Sequence, residues 1–263
     1  MINALNTTIQ VYLTKSGIAV LSLNRPEIFN AVNLDMLYNL EKIQDQIIAD
    51  STIKAVLIKA NGKHFSVGMD LDILKTFDYQ LILNKIAWLQ YVYSRWQEMP
   101  IPVIAAVQGY CIGSGMEMIL GCDIRIAANN TRFKIPEVSL GLAPDMGGTT
   151  RLTKLVGVGQ AKRMIMGCEE IGAEEANKIG LIEIMASEEE LISRAMGLVE
   201  KMSTYPPIAL RWAKRGINLA QENSTEASLL FEQAQSVACF ASEDLKEAIS
   251  AFIEKRTPIF KGL

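Results

Sequence analysis

Two glutamates give this sequence its clearest sign of chemistry. Glu117 follows the string Gly113-Ser114-Gly115-Met116 and has apolar neighbours, which are unfavourable for a charge. Glu137 follows the extended segment 131–136. Two carboxyls that share an apolar pocket cannot both ionise at low cost, so one acts as an acid and the other as a base. Such a pair suits the addition or removal of water, although two unrelated surface glutamates would have the same spacing.

Backbone N–H groups near these carboxyls could stabilise an oxyanion. The turn at Gly113-Ser114-Gly115 separates the apolar segment 103–107 from a predicted helix that starts at Met116. Such a turn directs free N–H groups and the positive end of a helix dipole at a bound anion. The loop around Gly68 could supply a second N–H group, and one such donor contributes roughly 3–4 kcal/mol in characterised oxyanion holes. The incomplete glycine pattern at residue 113 gives little support for a dinucleotide site.

The remaining polar residues give weaker signals. Asp145 lies in a Pro-Asp-x-Gly string, which is ordinarily a turn. The single histidine, His64, lies in a loop, and a nucleophilic mechanism that needs histidine would have to use it. Basic residues in the segment 255–261 are usually solvated but could also meet a phosphate. Carboxylates are therefore the candidate catalytic groups, and we expect no metal site.

Length and composition limit the function classes. A chain of 263 residues with 49% hydrophobic composition can bury a large core, as one large domain or two small ones. The net charge of −3 disfavours nucleic acid and anionic membranes as main partners. We find no apolar run of membrane-spanning length and no signal-peptide pattern, so we expect a soluble, cytoplasmic protein. Its four cysteines form no CxxC pair, which predicts reduced and mostly buried thiols.

Hydrophobic periodicity predicts strands that alternate with helices up to about residue 185, followed by helices only. The predicted strands, which are apolar or alternating, span residues 8–13, 18–23, 55–58, 103–107, 123–128 and 181–184. One predicted helix, which is amphipathic, begins after Asn33, and another begins at Met116. The other predicted helices lie within residues 71–99, 151–156, 159–166, 191–202, 208–221 and 225–240. The expected fold class is α/β with a helical C-terminal region.

Several strings, taken in order, resemble the enoyl-CoA hydratase/isomerase (crotonase) superfamily across nearly the whole chain. The matching strings are Leu23-Asn24-Arg25-Pro26, Asn30-Ala31, 65–70, 105–109, 113–117, Cys122-Asp123, 133–137, Gly141 and Gly147-Gly148. Agreement of several strings is far more specific than any one motif. The resemblance implies a crotonase-like spiral of ββα repeats over residues 1–190, which holds the site. It also implies a helical region over 191–263 that forms trimers, or hexamers made of two trimers.

The resemblance also implies a substrate and site residues. The substrate would be an acyl-CoA thioester, with coenzyme A as part of the substrate and no separate cofactor. The thioester oxygen would lie between the backbone N–H groups of Met69 and Ser114, and the catalytic glutamates of the hydratases correspond to Glu117 and Glu137. Further contacts with the substrate or its coenzyme A are expected at Arg25, Ala31, Ser66, Val67, Gly68 and Asp70, with basic residues of the C-terminal region as additional candidates.

Two positions differ from the common family pattern. Ser114 replaces a glycine, which is compatible because only its N–H group is used. Asp145 lies where typical hydratases have a small neutral residue and where double-bond isomerases of the family have an aspartate. Carnitinyl-CoA dehydratase-like members, however, combine both glutamates with a similar Pro-Asp-x-Gly-Gly string.

The favoured prediction is therefore hydration of a 2-enoyl-CoA to a 3-hydroxyacyl-CoA. One alternative is an enoyl- or dienoyl-CoA isomerase that uses Asp145 with Glu137, and another is a carnitinyl-CoA dehydratase-like hydro-lyase. A homologue without catalytic activity that binds acyl-CoA or RNA is a third, from a different functional class.

Overall fold

The computed structural model describes residues 8–263, and its helices and strands alternate through the first two thirds of that range. The strands are β1 Ile9–Leu13, β2 Ile18–Leu23, β3 Ala55–Ala60, β4 Val103–Val107, β5 Tyr110–Ile112, β6 Ile124–Ala128, β7 Arg132–Lys134, β8 Ile171–Gly172 and β9 Ile184–Ala186. The α-helices are α1 Leu34–Ala49, α2 Leu71–Leu74, α3 Tyr79–Glu98, α4 Ser114–Leu120, α5 Gly148–Val156, α6 Val158–Met166, α7 Ala173–Lys178, α8 Leu191–Ser203, α9 Pro207–Ala220, α10 Thr225–Phe240 and α11 Glu243–Glu254.

Within residues 8–263 the strands form two sheets. The larger sheet has the order β1-β2-β3-β4-β6-β9, and the smaller one has the order β5-β7-β8. β1 and β2 form an antiparallel hairpin, while the neighbours from β2 to β9 in the larger sheet are parallel. Parallel strands present their carboxyl ends at one edge, where α/β proteins usually bind ligands. The loops after β3 and β4 therefore emerge on the same side of the sheet.

Both faces of the larger sheet are covered, which explains the continuous apolar runs in its strands. Ala19 and Leu21 of β2 point into one buried cluster, whereas Ile18 and Val20 point into another on the opposite face. Strands buried on both faces have apolar residues at every position rather than at alternate ones. The central strands are thus apolar because helices lie on both sides of them.

Helix α1 follows its sequence pattern closely. Its apolar residues recur at spacings of three and four, and they are buried at Leu37, Leu40, Ile43 and Ile47. The helix begins after Asn33, whose side-chain oxygen accepts a hydrogen bond from the Met36 N–H at 2.9 Å. The prediction of an amphipathic helix after Asn33 is confirmed.

Three parts of the sequence prediction were wrong or incomplete. The strand predicted at 181–184 begins only at Ile184, because the Leu181 and Ile182 N–H groups donate to the Ala176 carbonyl and end α7. The short strands β5 and β8 and the helix α7 were not predicted. Helix α11 was also missed, although the Ser242 side chain caps it by accepting from the Leu245 N–H at 3.2 Å.

The helices of the C-terminal region differ in how they pack. Leu191, Ala195 and Val199 of α8 are buried against the larger sheet, whereas α9 and α10 have no buried residue. The expected division between residues 190 and 191 stays a prediction, and the packing of α8 favours a later boundary. Residues 1–7 of the expected N-terminal part lie outside the described residues.

Candidate active site

Two loops that were expected to donate backbone N–H groups lie side by side. The Ser66 N–H donates to the Tyr110 carbonyl at 3.0 Å, and the Ile112 N–H donates to the Ser66 carbonyl at 2.9 Å. This short parallel pairing joins the loop after β3 to strand β5. It brings the segment that ends at Met69 next to the start of α4 at Ser114.

The N–H groups of Met69 and Ser114 have no acceptor among residues 8–263. On either side of Met69, the Gly68 carbonyl accepts from the Val32 N–H at 2.8 Å and the Asp70 N–H donates to the Val32 carbonyl at 2.9 Å. In extended backbone the Met69 N–H therefore points away from Val32. Ser114 is the first residue of α4, where N–H groups have no partner within the helix. Both residues line one cavity of about 540 Å³, where their N–H groups can donate hydrogen bonds to an oxyanion between them.

The turn before α4 requires glycine for a chemical reason. Gly113 has a φ of 53°, which favours glycine, and a Cβ at this position would lie 2.6 Å from the Glu137 Oε1 atom. A side chain there would displace the carboxyl of Glu137. The turn that exposes the Ser114 N–H thus also makes room for the second glutamate.

Glu117 is almost completely buried, with 1% of its surface exposed. Its Oε1 atom accepts two backbone hydrogen bonds, from the Met146 N–H at 3.0 Å and from the Gly148 N–H at 2.9 Å. Burial raises the pKa of Glu117 to about 7, and the nearby Glu137 and Asp145 carboxyls also raise it, while the two N–H groups lower it. Glu117 can therefore gain or lose a proton near neutral pH.

Glu137 lines the same cavity as Glu117 and lies in a short turn of 3-10 helix over Glu137–Leu140 that follows β7. It is half-buried, and its Oε2 atom has no hydrogen-bond partner among the described residues. Burial and, to a smaller degree, the Asp145 carboxyl raise the pKa of Glu137. A carboxyl with a free buried oxygen is well placed to hold a proton.

Asp145 is the third carboxyl at this cavity. Its side chain is more exposed than the two glutamates, yet the surrounding protein desolvates it enough to raise its pKa. The three carboxyls share the cavity with apolar side chains of the 71–99 and 136–146 segments. The glutamates therefore converge on one site and are not unrelated surface residues.

The residues expected to contact coenzyme A are brought together beside the Met69 end of the cavity. The Arg25 Nη1 atom donates to the Ala31 carbonyl at 2.6 Å and forms a salt bridge with the Asp70 Oδ2 atom at 3.2 Å. Gly68 and Val67 line the cavity itself. The guanidinium is thus held by two neighbours and is still partly exposed, so it can also meet an anionic group.

The side chains of two residues in this region bind backbone groups of the protein itself. Ser66 is fully buried, and its hydroxyl donates to the Asn30 carbonyl at 2.8 Å and accepts from the Gly68 N–H at 3.2 Å. His64 is buried outside the cavity lining, where its Nδ1 atom accepts from the Tyr110 N–H at 3.0 Å. The single histidine therefore fixes the loop, and chemistry at the cavity falls to the carboxyls.

Sequence reasoning missed the groups that hold Glu117. The Met146 N–H lies in the loop before α5, the Gly148 N–H belongs to the first residue of that helix, and Arg151 of α5 donates to the Met146 carbonyl. One signal was available, because a positive charge in the first turn of a helix opposes the helix dipole. Residues that break a local rule often serve a functional site.

Comparison with known sequences shows the family to which this chain belongs. A family model described as enoyl-CoA hydratase/isomerase matches residues 13–263 of this chain. The chain belongs to this family. A short-chain-enoyl-CoA hydratase of Clostridium acetobutylicum is 38% identical over 254 residues, which cover 94% of this chain and 95% of that protein. A crotonyl-CoA hydratase of Syntrophomonas wolfei is 34% identical and covers 92% of this chain and 94% of that protein.

Solved structures of the family confirm the expected fold. The crystal structure of an enoyl-CoA hydratase from Bacillus anthracis matches this chain with a TM-score of 0.94 at 32% identity. The match covers 97% of this chain and 100% of that chain. The crotonase-like α/β fold is therefore shared over nearly the whole length.

Two further expectations concern metals and membranes. Residues 8–263 contain no group of three or more His, Cys, Asp or Glu side chains that could hold a metal ion. None of the helices in the same range is long and apolar enough to cross a membrane.

The raised pKa of Glu117 predicts a pH-dependent term in stability. The folded state keeps a proton up to about pH 7, whereas a glutamate in the unfolded chain releases it near its ordinary pKa of 4.5. The contribution of Glu117 to the free energy of unfolding is thus fully present below pH 4.5 and falls by about 3 kcal/mol as the pH rises to 7.

We expect Glu117→Gln to lack this pH-dependent contribution to the free energy of unfolding. Urea unfolding of both proteins at several pH values between 4.5 and 7 measures the difference, and Glu189→Gln, at an exposed position, is the control. Equal pH slopes for the wild type and Glu117→Gln would contradict the assigned pKa.

Proposed function

We propose that this chain is an enoyl-CoA hydratase, which adds water reversibly to a 2-enoyl-CoA thioester and forms a 3-hydroxyacyl-CoA. The observation that carries the proposal is the meeting of two carboxyls and two unoccupied N–H groups at one cavity, namely Glu117, Glu137, Met69 and Ser114. The names of the Clostridium acetobutylicum and Syntrophomonas wolfei relatives, which are both hydratases, support it.

The two N–H groups would bind the thioester oxygen. When water adds to C3, the electrons of the C2=C3 bond move toward the carbonyl and leave an enolate with negative charge on that oxygen. Donors that are already oriented stabilise this charge without reorganisation, and each contributes about 3 kcal/mol. Met69 and Ser114 lie on rigid segments paired through Ser66, which favours such a fixed arrangement.

The two glutamates would move the protons. Glu117 starts as the carboxylate and takes a proton from water while the water oxygen bonds to C3. Glu137 starts protonated and delivers its proton to C2, so the product gains one hydroxyl and one hydrogen. Exchange with solvent returns both side chains to their starting states, and the dehydration reaction follows the same steps in reverse.

Hydrogen bonding supports this division of roles. The Oε1 atom of Glu117 accepts two N–H groups, which favour its ionised form. The Glu137 carboxyl has only its own backbone N–H as such a donor, and its buried Oε2 atom has no partner among the described residues. The deeper burial of Glu117 acts in the opposite direction and brings its pKa close to neutral. A base with a pKa near the working pH is effective because it is ionised and still accepts a proton readily.

The substrate supplies its own coenzyme A, and these steps use no other cofactor. Arg25, beside Ala31 and Asp70, is a candidate for contact with the adenosine or phosphate groups, as the family resemblance implies. The acyl chain would lie among the apolar side chains of the cavity, which include Leu74, Phe77 and Leu89. These residues suit an uncharged hydrocarbon chain.

A second candidate function rests on Asp145. Its carboxyl lines the same cavity as that of Glu137, and its pKa is raised. Two carboxyls on either side of an acyl chain could remove a proton from one carbon and return it to another, which would make the chain a double-bond isomerase. In that case Glu117 would orient substrate or water.

We also propose that the chain forms a homotrimer, or a hexamer of two trimers. Large apolar side chains are exposed on α10 and α11, among them Val237 at 71%, Phe240 at 77%, Phe252 at 85% and Ile253 at 73%. Exposed apolar side chains at this density favour a protein interface. The family resemblance supplies the expected symmetry.

Incubation with crotonyl-CoA tests the activity most simply. We expect 3-hydroxybutyryl-CoA as the product, identified by mass spectrometry, and Glu137→Gln should lower kcat by about 10²-fold or more because it removes the acid. Glu189→Gln, the same substitution at an exposed position, is the matched control and should retain the wild-type rate. If folded wild-type protein forms no 3-hydroxyacyl product but shifts the double bonds of a 3,5-dienoyl-CoA, the isomerase is the correct function.

The oligomer is tested by sedimentation equilibrium. We expect a mass of three or six chains for the wild type, and a shift to smaller species when Phe240 and Phe252 are both changed to Glu, because the charges would be buried in the interface. A wild-type protein that sediments as a monomer at micromolar concentration would contradict the proposal.

A further inference from the structure

The loop that holds Glu117 is itself held by other residues. We call residues 145–148 the strap. The strap passes over the carboxyl of Glu117 and supplies both of its N–H donors, at Met146 and Gly148. Loops before helices are often mobile, so a donor pair on a loop needs external support to keep its geometry.

Arg151 joins the strap to helix α3 through three separate contacts. Its Nη1 atom donates to the Met146 carbonyl at 3.1 Å, its Nη2 atom donates to the Ser94 hydroxyl at 2.7 Å, and its Nε atom donates to the Gln97 Oε1 atom at 2.9 Å. A planar guanidinium can make three such bonds in fixed directions, which an ammonium group cannot do. Met146 therefore binds both side chains. Its N–H donates to Glu117, and its carbonyl accepts from Arg151.

Two further features show that the strap is built around this contact. Gly147 has a φ of 112°, and a Cβ at this position would collide with the Arg151 guanidinium. The Gln90 Nε2 atom, also on α3, donates to the Asp145 carbonyl at 2.7 Å. Helix α3 thus holds successive carbonyls of the strap, one directly through Gln90 and one through Arg151.

We propose that Arg151 is a positioning residue for the reaction: its guanidinium ties the strap to α3 and thereby keeps the Met146 and Gly148 N–H groups on the Glu117 carboxylate. Arg151 does not line the cavity of the proposed site, so it acts through Glu117 and not on the substrate. The inference rests on the proposed function for its kinetic consequence, but its structural part concerns Glu117 alone.

The groups around Glu117 determine the direction in which loss of Arg151 would shift its pKa. Glu137 and Asp145 face it and favour its protonated form, as burial does, whereas the two strap N–H groups favour the ionised form. The charge of Arg151 and that of Glu117 attract each other, while the Tyr93 phenol nearby stays protonated. If the strap loosens, the ionised form loses support, and the pKa of Glu117 rises further.

The test compares Arg151→Met with Lys154→Met. Both substitutions remove a positive charge from α5, but Lys154 pairs with Glu222 near the surface and does not touch the strap. We expect Arg151→Met to raise the proton affinity of Glu117 by roughly tenfold. The acid limb of the kcat/KM profile should then shift to higher pH by the same factor, because Glu117 must be ionised to accept a proton from water. Lys154→Met should change neither quantity.

The proton affinity of Glu117 is measured without turnover. The carboxyl C=O stretch in the infrared, followed as a function of pH and assigned by its loss in Glu117→Gln, reports it directly. A protein that lacks hydratase activity but shows the shift would overturn the proposed function and leave the role of Arg151 intact. An active Arg151→Met protein whose infrared titration and acid limb both match the wild type would overturn the positioning role.

Two other substitutions keep the inference testable if Arg151→Met fails to fold. Ser94→Ala and Gln97→Met each remove one partner of the guanidinium and leave its charge in place. We expect both variants to shift the pKa of Glu117 in the same direction but by less. If neither variant shifts it, the proposed role of Arg151 is contradicted. Arg151→Lys keeps the positive charge but lacks the planar set of N–H donors, so it should also shift the titration of Glu117. A wild-type titration in this variant would contradict the need for three directed hydrogen bonds and would mean that the charge alone supports Glu117.

Discussion

The structure depends on one interaction, the pair of hydrogen bonds from the strap to the buried carboxyl of Glu117. A carboxylate at 1% exposure is costly unless donors replace the lost water. Here Met146 and Gly148 supply them from the backbone, so no charged side chain needs to enter the cavity. The resulting balance between burial and hydrogen bonding keeps the pKa of Glu117 near neutral, where acid and base forms are both accessible.

The parallel sheet accounts for the rest of the geometry. The loops after β3 and β4 leave the same edge of the sheet, and the Ser66 pairing joins them, which places the Met69 and Ser114 N–H groups beside each other. Helix α4 begins at the second donor and carries Glu117 one turn later. Oxyanion donor and carboxyl are therefore fixed relative to one another by a single helical turn.

Much of this arrangement could be predicted from local sequence signals. Continuous apolar runs identified β2, β3 and β4, and spacings of three and four identified α1, because both patterns reflect burial directly. The strands β5 and β8 were missed because they contain only three and two residues, too few for any periodicity. The strand predicted at residue 181 was misplaced because Leu181 and Ile182 are buried where they end α7.

The residues of the site also divide into those with a local sequence signal and those without one. Glu117 was identified because a carboxylate among apolar residues violates a local preference, and the family strings supported Glu137. Arg151 was not identified, since its importance lies in contacts with Ser94 and Gln97, more than fifty positions away in sequence. The positive charge at the start of α5 was the one local signal, and the contacts themselves are visible only in the folded arrangement of α3 and α5.

The central claim is the division of labour between the two glutamates, and hydrogen exchange at C2 tests it most directly. Butyryl-CoA has an acidic C2 position but no double bond or hydroxyl, so its exchange in D₂O isolates the step at C2 from the step that handles water. We expect Glu117→Gln to retain exchange at C2 while it loses hydration, and Glu137→Gln to lose both. Loss of C2 exchange in Glu117→Gln together with its retention in Glu137→Gln would contradict the account.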